Sequence, residues 1–502
     1  MNRIKTFIIK QDIFILAAGS LLLAFVGFRF NVPPAAWFAP VFLLRYFRHA
    51  RGAGAILIGY LAMSISLGIS MYGLIPAPPA VQILIGLVWG AMFVTPYLVD
   101  RFFYAHTGPV AGLFIFPGAY VLLEYILSVS PFSSLTSMAY SQFPFKGLMQ
   151  IVSITGTGGV TFLITWFASL VNLLREENFS PRRARVPGIA FALILGVTLV
   201  AGNLRLAGQP ERSVPIGSVT VSYDAYIDMW DFSVYIESGT DPARVPEMKK
   251  ISSLTADALF RESESLARAG AKIILWSEIN VFLFPDQEKA FTKRARDFAR
   301  KEGVYLIAAA ARLTPGTDMY ENWAAAFTPA GEAAFTYLKS HPVFAEFGGE
   351  HAVRGNGRIP LLDTPYGRIA VAICYDMDFP RLIRQAGRGG ADIILVPALD
   401  WKEISPYHSY VALVRGIENG VSVVRQTDQG MSLAGDYRGL VTASMDFFSA
   451  EKRVMLSHLP ASGVRTLYPY AGDWIVWGIL LFWGGYILLN TIVRRKNRER
   501  GL

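Results

Sequence analysis

The sequence predicts a multi-span α-helical membrane domain joined to an extracytoplasmic α/β domain. Three observations predict it. Of the 502 residues, 53% are hydrophobic and only 17% are charged, whereas an ordinary soluble chain carries about 25% charged residues. Apolar stretches near the length a bilayer requires, about 20 residues each, crowd the region before residue 204 and recur once after residue 469. Between them lies a segment of ordinary globular composition, in which short apolar runs alternate with amphipathic ones.

The expected spans fall near 12–30, 53–76, 80–100, 108–128, 148–174, 186–203 and 470–492, with a shorter apolar stretch from Pro34 to Phe47. The stretch at 12–30 lacks a small-residue cleavage site and is followed by further spans, so it reads as a helix and not a signal peptide. Basic residues decide whether the short stretch counts. Arg3, Lys5 and Lys10, then Arg45, Arg48 and Arg51, then Arg101, then Arg175, Arg182, Arg183 and Arg185, and finally Arg494, Arg495, Lys496, Arg498 and Arg500 all fall on one side if there are eight spans. The opposite short loops hold Arg29 and Lys146 and little else that is basic. Lys and Arg accumulate in cytoplasmic loops, so the pattern predicts seven helices in residues 1–203, an extracytoplasmic domain over 204–469, and a last helix with a basic cytoplasmic tail over 470–502. Both termini are then cytoplasmic. The net charge of +9 becomes a topology signal, which argues against a nucleic-acid partner.

The outer segment predicts buried strands at IGSVTVSY (216–223), AKIILWSE (271–278), VYLIAAAAR (304–312), WAAAFTP (323–329), GRIAVAICYD (367–376), ADIILVP (391–397) and VSVVRQT (421–427). Amphipathic segments at 250–269 and 286–302 lie between some of them. Strands alternating with helices indicate an α/β domain, and runs apolar on both faces indicate covered sheets.

Three strand ends carry residues suited to chemistry. Glu278 closes Trp276-Ser277-Glu278, where a carboxylate at the tip of an apolar strand is a candidate general base. Lys339 follows a short apolar stretch, where an ammonium can stabilise the oxyanion of an acyl-transfer intermediate. Cys374, the chain's single cysteine, ends the run GRIAVAI at a strand-to-helix bend. A nucleophile there is expected to be exposed and close to backbone N–H donors, and Glu278 can activate the thiol. One cysteine excludes an intrachain disulfide framework, and the six histidines are scattered without a HExxH pair, so neither a metal nor a cofactor is expected.

The order and contexts of these residues resemble the carbon–nitrogen hydrolase (nitrilase) superfamily over 216–455. The matching pieces are the WSE ending at Glu278, Asn322 with the PxGE turn, Lys339 with His341, and ICYDMDFPR around Cys374. The resemblance implies an αββα sandwich, a Glu278–Lys339–Cys374 triad and a thioester acyl-enzyme. It also implies a second acidic residue, matched by Glu346, and places Tyr375 and Asp376 at the oxyanion or substrate. An outer nitrilase-like domain held between seven spans and one resembles the apolipoprotein N-acyltransferase family. That likeness extends to LLEYILSVSPFSSLTSMAYSQ (122–142) and RGIENGVSVVRQTDQGMSLAGDYRG (415–439). It implies a bacterial cytoplasmic membrane location, a phospholipid acyl donor and a lipoprotein amine acceptor. Glu124 and Gln142 read more readily as span-end polar groups than as substrate contacts. Trp37, Phe38, Trp89 and Trp474 read as an interfacial belt.

The chain departs from that family at Ser277, Asp376 and Ala398-Leu399-Asp400-Trp401, near the acceptor or acyl-chain pocket. Two alternatives therefore stay open at this point: a membrane-tethered amidase acting on a small amide, and an acyltransferase with a different amine acceptor.

Overall fold

A computed structural model describes residues 2–75, 77–104, 106–176, 181–208, 212–221, 245–313, 317, 319–343 and 351–499. Its first part is helical: α1 (Asn2–Leu23), α2 (Pro33–His49), α3 (Gly52–Ser70), α4 (Pro79–Tyr104), α5 (Ile115–Ser128), α6 (Thr157–Glu176) and α7 (Pro181–Ala207). Helices α3, α4 and α6, with Ala184–Ala207 of α7, are long and apolar enough to cross a membrane. Gln11–Leu23 and Ile115–Ser128 are shorter apolar helices.

Packing among these helices uses small residues and one buried charge cluster. A Cβ at Gly86 would lie 3.1 Å from Ser64 O and 3.2 Å from Gly68 Cα, so the glycine there lets α3 and α4 approach closely, as expected for helices in lipid. Arg48 Nε donates to Asp100 Oδ2 at 2.7 Å, and Arg48 Nη1 reaches Glu176 Oε1 at 3.3 Å. This ties α2, α4 and α6 together. Trp89 is buried beside Phe93 and Phe132, and Trp37 Nε1 donates to Gln142 Oε1 at 2.9 Å. Trp89 therefore packs inside the protein instead of joining an exposed aromatic belt, and Trp37 is half-buried.

The segment after α7 forms two sheets. One contains β1 (Ser213–Val219), β2 (Ile273–Trp276), β3 (Phe282–Leu283), β4 (Tyr305–Leu313), β5 (Tyr320–Phe327) and β6 (Ala333–Leu338), with β13 (Val454–Pro460) on its edge. Its order is β13-β1-β2-β4-β5-β6, with β3 beside β4. The other contains β7 (Leu361–Thr364), β8 (Gly367–Val371), β9 (Ile393–Leu399), β10 (Ser422–Asp428), β11 (Met431–Gly435) and β12 (Val441–Asp446), in the order β12-β11-β10-β9-β8-β7. The central pairs β1–β2, β2–β4, β8–β9 and β9–β10 are parallel. Strand periodicity sorts the core. Ile273, Leu275, Ile307 and Ala309 share one apolar cluster with Ile369, Ile393, Leu395 and Val423 of the second sheet. Their neighbours Ile274, Trp276, Leu306 and Ala308 cluster with Leu259 and Phe260 of α8 (Val245–Arg268) and Phe291 of α9 (Pro285–Glu302). Successive side chains of one strand thus face the other sheet and the helices in turn.

Helices α10 (Pro380–Arg388) and α11 (Tyr407–Asn419) complete the domain, and α12 (Trp474–Glu499) follows it. The α/β part docks directly onto the helical part. Trp401 Nε1 donates to Gly73 O at 3.0 Å, Tyr407 OH to Leu135 O at 2.8 Å and Gln150 Nε2 to Arg438 O at 2.9 Å. Arg415 Nη2 donates to Tyr140 OH at 2.7 Å, and Thr157 N to Glu418 Oε1 at 3.1 Å.

Candidate active site

Three strand ends deliver the site. Just past β2, Glu278 is 1% exposed. Its Oε1 accepts from Lys339 Nζ at 2.7 Å and from Asn322 Nδ2 at 2.6 Å. Its Oε2 accepts from Leu399 N at 2.8 Å. Lys339 comes from the end of β6, and its own backbone N donates to Asn322 O at 2.9 Å. Asn322, on the adjacent β5, thus fixes both members of the ion pair. Ile279, immediately after the glutamate, has φ +53°, an unusual conformation for a β-branched residue.

Cys374 opens a 3₁₀ turn, Cys374–Asp378, beyond β8. Its φ is +45°, a left-handed conformation that costs about 1–3 kcal/mol in a non-glycine residue and persists where surrounding contacts impose it. Cys374 Sγ donates to Leu399 O at 3.4 Å. The Leu399 residue therefore bridges the site: its N–H serves Glu278 and its carbonyl receives the thiol. Burial pushes the Cys374 thiol well up, Glu278 pushes it further, and Lys339 and Arg425 pull the other way. A thiol held protonated in this way needs a base to react.

The expected exposure of this thiol is corrected, since Cys374 is only 1% exposed. The loop between α5 and α6 closes on the bend. Ser134 N and Ser134 Oγ donate to Asp378 O at 3.0 and 2.7 Å, and Tyr375 OH donates to Pro131 O at 3.0 Å. This loop is held in turn by Glu124, which accepts from Ser137 Oγ, Met138 N and Thr161 Oγ1 at 2.8, 2.7 and 2.7 Å. Gln142 is likewise buried, donating to Pro33 O at 2.9 Å. Glu124 and Gln142 are thus occupied in building the loop.

Asp376 points inward and is fully buried. It accepts from Tyr337 OH at 2.8 Å, Ser340 N at 3.1 Å, His341 N at 2.8 Å and Ile373 N at 3.1 Å. Its carboxylate staples the chain beside Lys339 to the chain beside Cys374. His341 stacks on Phe379 with ring centroids 3.6 Å apart. Glu346 lies outside the described residues.

A second charged cluster meets the thiol. Arg425, on β10 and fully buried, places Nη2 3.7 Å from Cys374 Sγ. It grips Asp400 through two bonds of 2.6 and 2.8 Å. His408 Nδ1 lies 2.8 Å from Asp400 Oδ1, and its Nε2 lies 3.1 Å from Asp378 Oδ2. Sequence reasoning did not assign these residues a role. The available signal was an arginine set mid-strand in the apolar run VSVVRQT, a place where an unpaired charge is prohibitively costly. Cys374, Asp400 and His408 each bring one potential metal-ligand atom within 4.8 Å of the others. Arg425 already engages both Asp400 oxygens, so a guanidinium supplies positive charge to this cluster.

Residues 244–466 match the carbon-nitrogen hydrolase family, and residues 17–170 match the apolipoprotein N-acyltransferase N-terminal domain. Residues 244–466 are thus a carbon–nitrogen hydrolase-type domain, and the chain as a whole is apolipoprotein N-acyltransferase-like. The apolipoprotein N-acyltransferase of Geobacter metallireducens is 24% identical over 97% of this chain and 96% of its own length. Apolipoprotein N-acyltransferase 2 of Treponema pallidum is 26% identical, covering 70% of each chain. Among solved structures, an amidase from Nesterenkonia sp. aligns with 51% of this chain and 94% of its own, at 20% identity and a TM-score of 0.38. The superfamily match covers both sheets apart from β1, and the second match runs from the end of α1 into α6. The chain is accordingly a multi-pass membrane protein carrying a nitrilase-fold α/β domain.

Proposed function

We propose that this protein is an N-acyltransferase that moves a fatty acyl chain from a phospholipid, through a Cys374 thioester, to the N-terminal amine of a diacylglyceryl-cysteine lipoprotein. The observation that carries this reading is the shared Leu399 peptide, which holds the Glu278–Lys339 pair and the Cys374 thiol at one point. Glu278 takes the thiol proton, and the thiolate attacks the ester carbonyl of the donor. Lys339 and backbone N–H near Tyr375 stabilise the oxyanion. Collapse breaks the ester C–O bond, and Glu278 returns the proton to the departing lysophospholipid oxygen. The acceptor amine then attacks the thioester, the C–S bond breaks, and the amine proton passes through Glu278 to the thiolate. Asp376 acts by position, joining the lysine strand to the bend. Glu346 is proposed as a further acidic group of the site.

The surroundings support a lipid donor. A groove of about 650 Å³ between α3 and α4 is lined by Leu61, Ile65, Ile69, Tyr72 and Ile83. Gly73, next to Tyr72, accepts from Trp401, two residues beyond Leu399. A buried thioester is also shielded from hydrolysis, which favours transfer to an amine. The names of the relatives agree with this activity. Residues 1–203 and 470–502 are proposed as the membrane part and 204–469 as an extracytoplasmic catalytic domain, with both termini in the cytoplasm of a bacterial cell. A reporter fused after residue 502 should be active only in the cytoplasm, and activity outside overturns the orientation.

Incubating the full-length protein with phospholipid should add one acyl chain to Cys374, visible by intact mass, and Cys374→Ala should remain unmodified. Turnover of small amides without any acyl adduct would favour a membrane-tethered amidase and end the transferase reading.

A further inference from the structure

Glu278 and Lys339 form a closed ion pair at 2.7 Å. Such a pair presents little net charge to the sulfur beside it, and once Glu278 has taken the thiol proton the lysine is the only cation of the triad. The thiolate has a second neighbour. We propose that Arg425, clamped by Asp400 and backed by a protonated His408, is a second cation on the Cys374 sulfur and positions the charge that stabilises its thiolate.

The geometry supports this through three independent features. First, Arg425 Nη2 lies 3.7 Å from Sγ, within sulfur hydrogen-bond range, and it is the guanidinium nitrogen whose bond to Asp400 Oδ1 is 2.8 Å. The arginine cannot drift, because Nη1 is also held by Ser409 Oγ at 3.0 Å and Thr427 Oγ1 at 2.7 Å. Second, the cluster contains two carboxylates, Asp400 and Asp378, both fully buried. Arg425 alone leaves it one negative charge in excess, which would oppose ionisation of the thiol. A charged His408 balances it. Third, among the described residues Asp378 has no aligned hydrogen-bond donor for either carboxylate oxygen, and its ion-pair contact is His408 Nε2 at 3.1 Å. A buried carboxylate without donors is stabilised by an adjacent positive charge, and the imidazolium is placed to supply it. Burial opposes the imidazolium, but Asp378 and Asp400 outweigh it against repulsion from Arg425 and hold His408 up at about 9. Among the described residues, Glu278, Lys339, Arg425 and Asp400 are the charged groups that act on the sulfur.

The inference rests on Cys374 being the nucleophile of the proposed function, but its test needs no substrate. The chain has one cysteine, so labelling with [3-13C]cysteine yields one methylene resonance whose shift reports thiol against thiolate, even for a buried sulfur. Titrating the full-length protein in detergent should show the midpoint rising by about one unit or more in Arg425→Gln, the range expected when a neighbouring opposite charge is removed. Arg425→Lys should recover part of the difference. His408→Gln should raise the midpoint too, through the unbalanced aspartates, without touching the arginine. If Arg425→Gln does not fold, Arg425→Lys and His408→Gln carry the test alone. Midpoints unmoved in folded Arg425→Lys and His408→Gln overturn the proposal. Midpoints that move as described, in a protein that never acquires an acyl chain, leave this inference standing and remove the transferase reading instead.

Discussion

Two charged clusters converge on Cys374, and they are built on opposite plans. The Glu278–Lys339 pair sits on loosely related strand ends and is reached through the Leu399 peptide, with Asn322 as its shared support. Glu278 accepts three hydrogen bonds, and its carboxylate can take up a proton. The Arg425–Asp400–His408–Asp378 cluster is fixed by bidentate and multiple bonds within β10, α11 and the bend itself. Its charges hold one another in place. The difference separates proton transfer, which needs a base free to change state, from charge stabilisation, which needs a charge that stays in place.

That separation can be broken at several points. Glu278→Gln removes the base and keeps most of the hydrogen bonds, so acyl-enzyme formation should slow by about a hundredfold or more, read as the rate of adduct growth by intact mass. Asn322→Ala removes one donor to the carboxylate while leaving the base in place. It should cost about tenfold, the order of a single hydrogen bond to a charged group. Equal losses in the two variants would mean that Glu278 serves only as a counter-ion for Lys339.

The smallest effect concerns stability. An ordinary histidine titrates near 6.5, and His408 is held at about 9. A raised value means that the imidazolium contributes stability fully below about pH 6.5 and loses it as pH rises through about 9. Thermal unfolding of the protein in detergent should therefore show falling stability from about pH 6.5 to 9. His408→Gln should flatten that part of the curve. A wild-type profile that is flat or rising over this interval contradicts a charged His408.

Much of the catalytic fold was legible in the sequence because its signals are local. The apolar runs around Ile273, Ile307, Ile369, Ile393 and Val423 all became strands, and the amphipathic segments at 250–269 and 286–302 became α8 and α9. Strands β3, β7, β11, β12 and β13 went unread, since they are short or lie on sheet edges where one face is polar. Glu278, Lys339 and Cys374 stood out because their strand-end contexts are distinctive. Arg425 and His408 did not, since a residue's value as a buried counter-charge depends on partners far along the chain: Arg425 meets Cys374 across 51 positions. The burial of the thiol was equally illegible. It depends on the loop between α5 and α6 folding back onto the bend, a contact that spans 244 positions between Ser134 and Asp378.

The central claim is that Cys374 hands an acyl group from lipid to amine. The most direct measurement isolates the acylated protein, removes free phospholipid, and adds a peptide bearing a diacylglyceryl-cysteine N-terminus. The account predicts that the acyl mass leaves the protein and appears as an amide on that peptide faster than free fatty acid is released. Release as fatty acid alone, at a rate the peptide does not change, would contradict it.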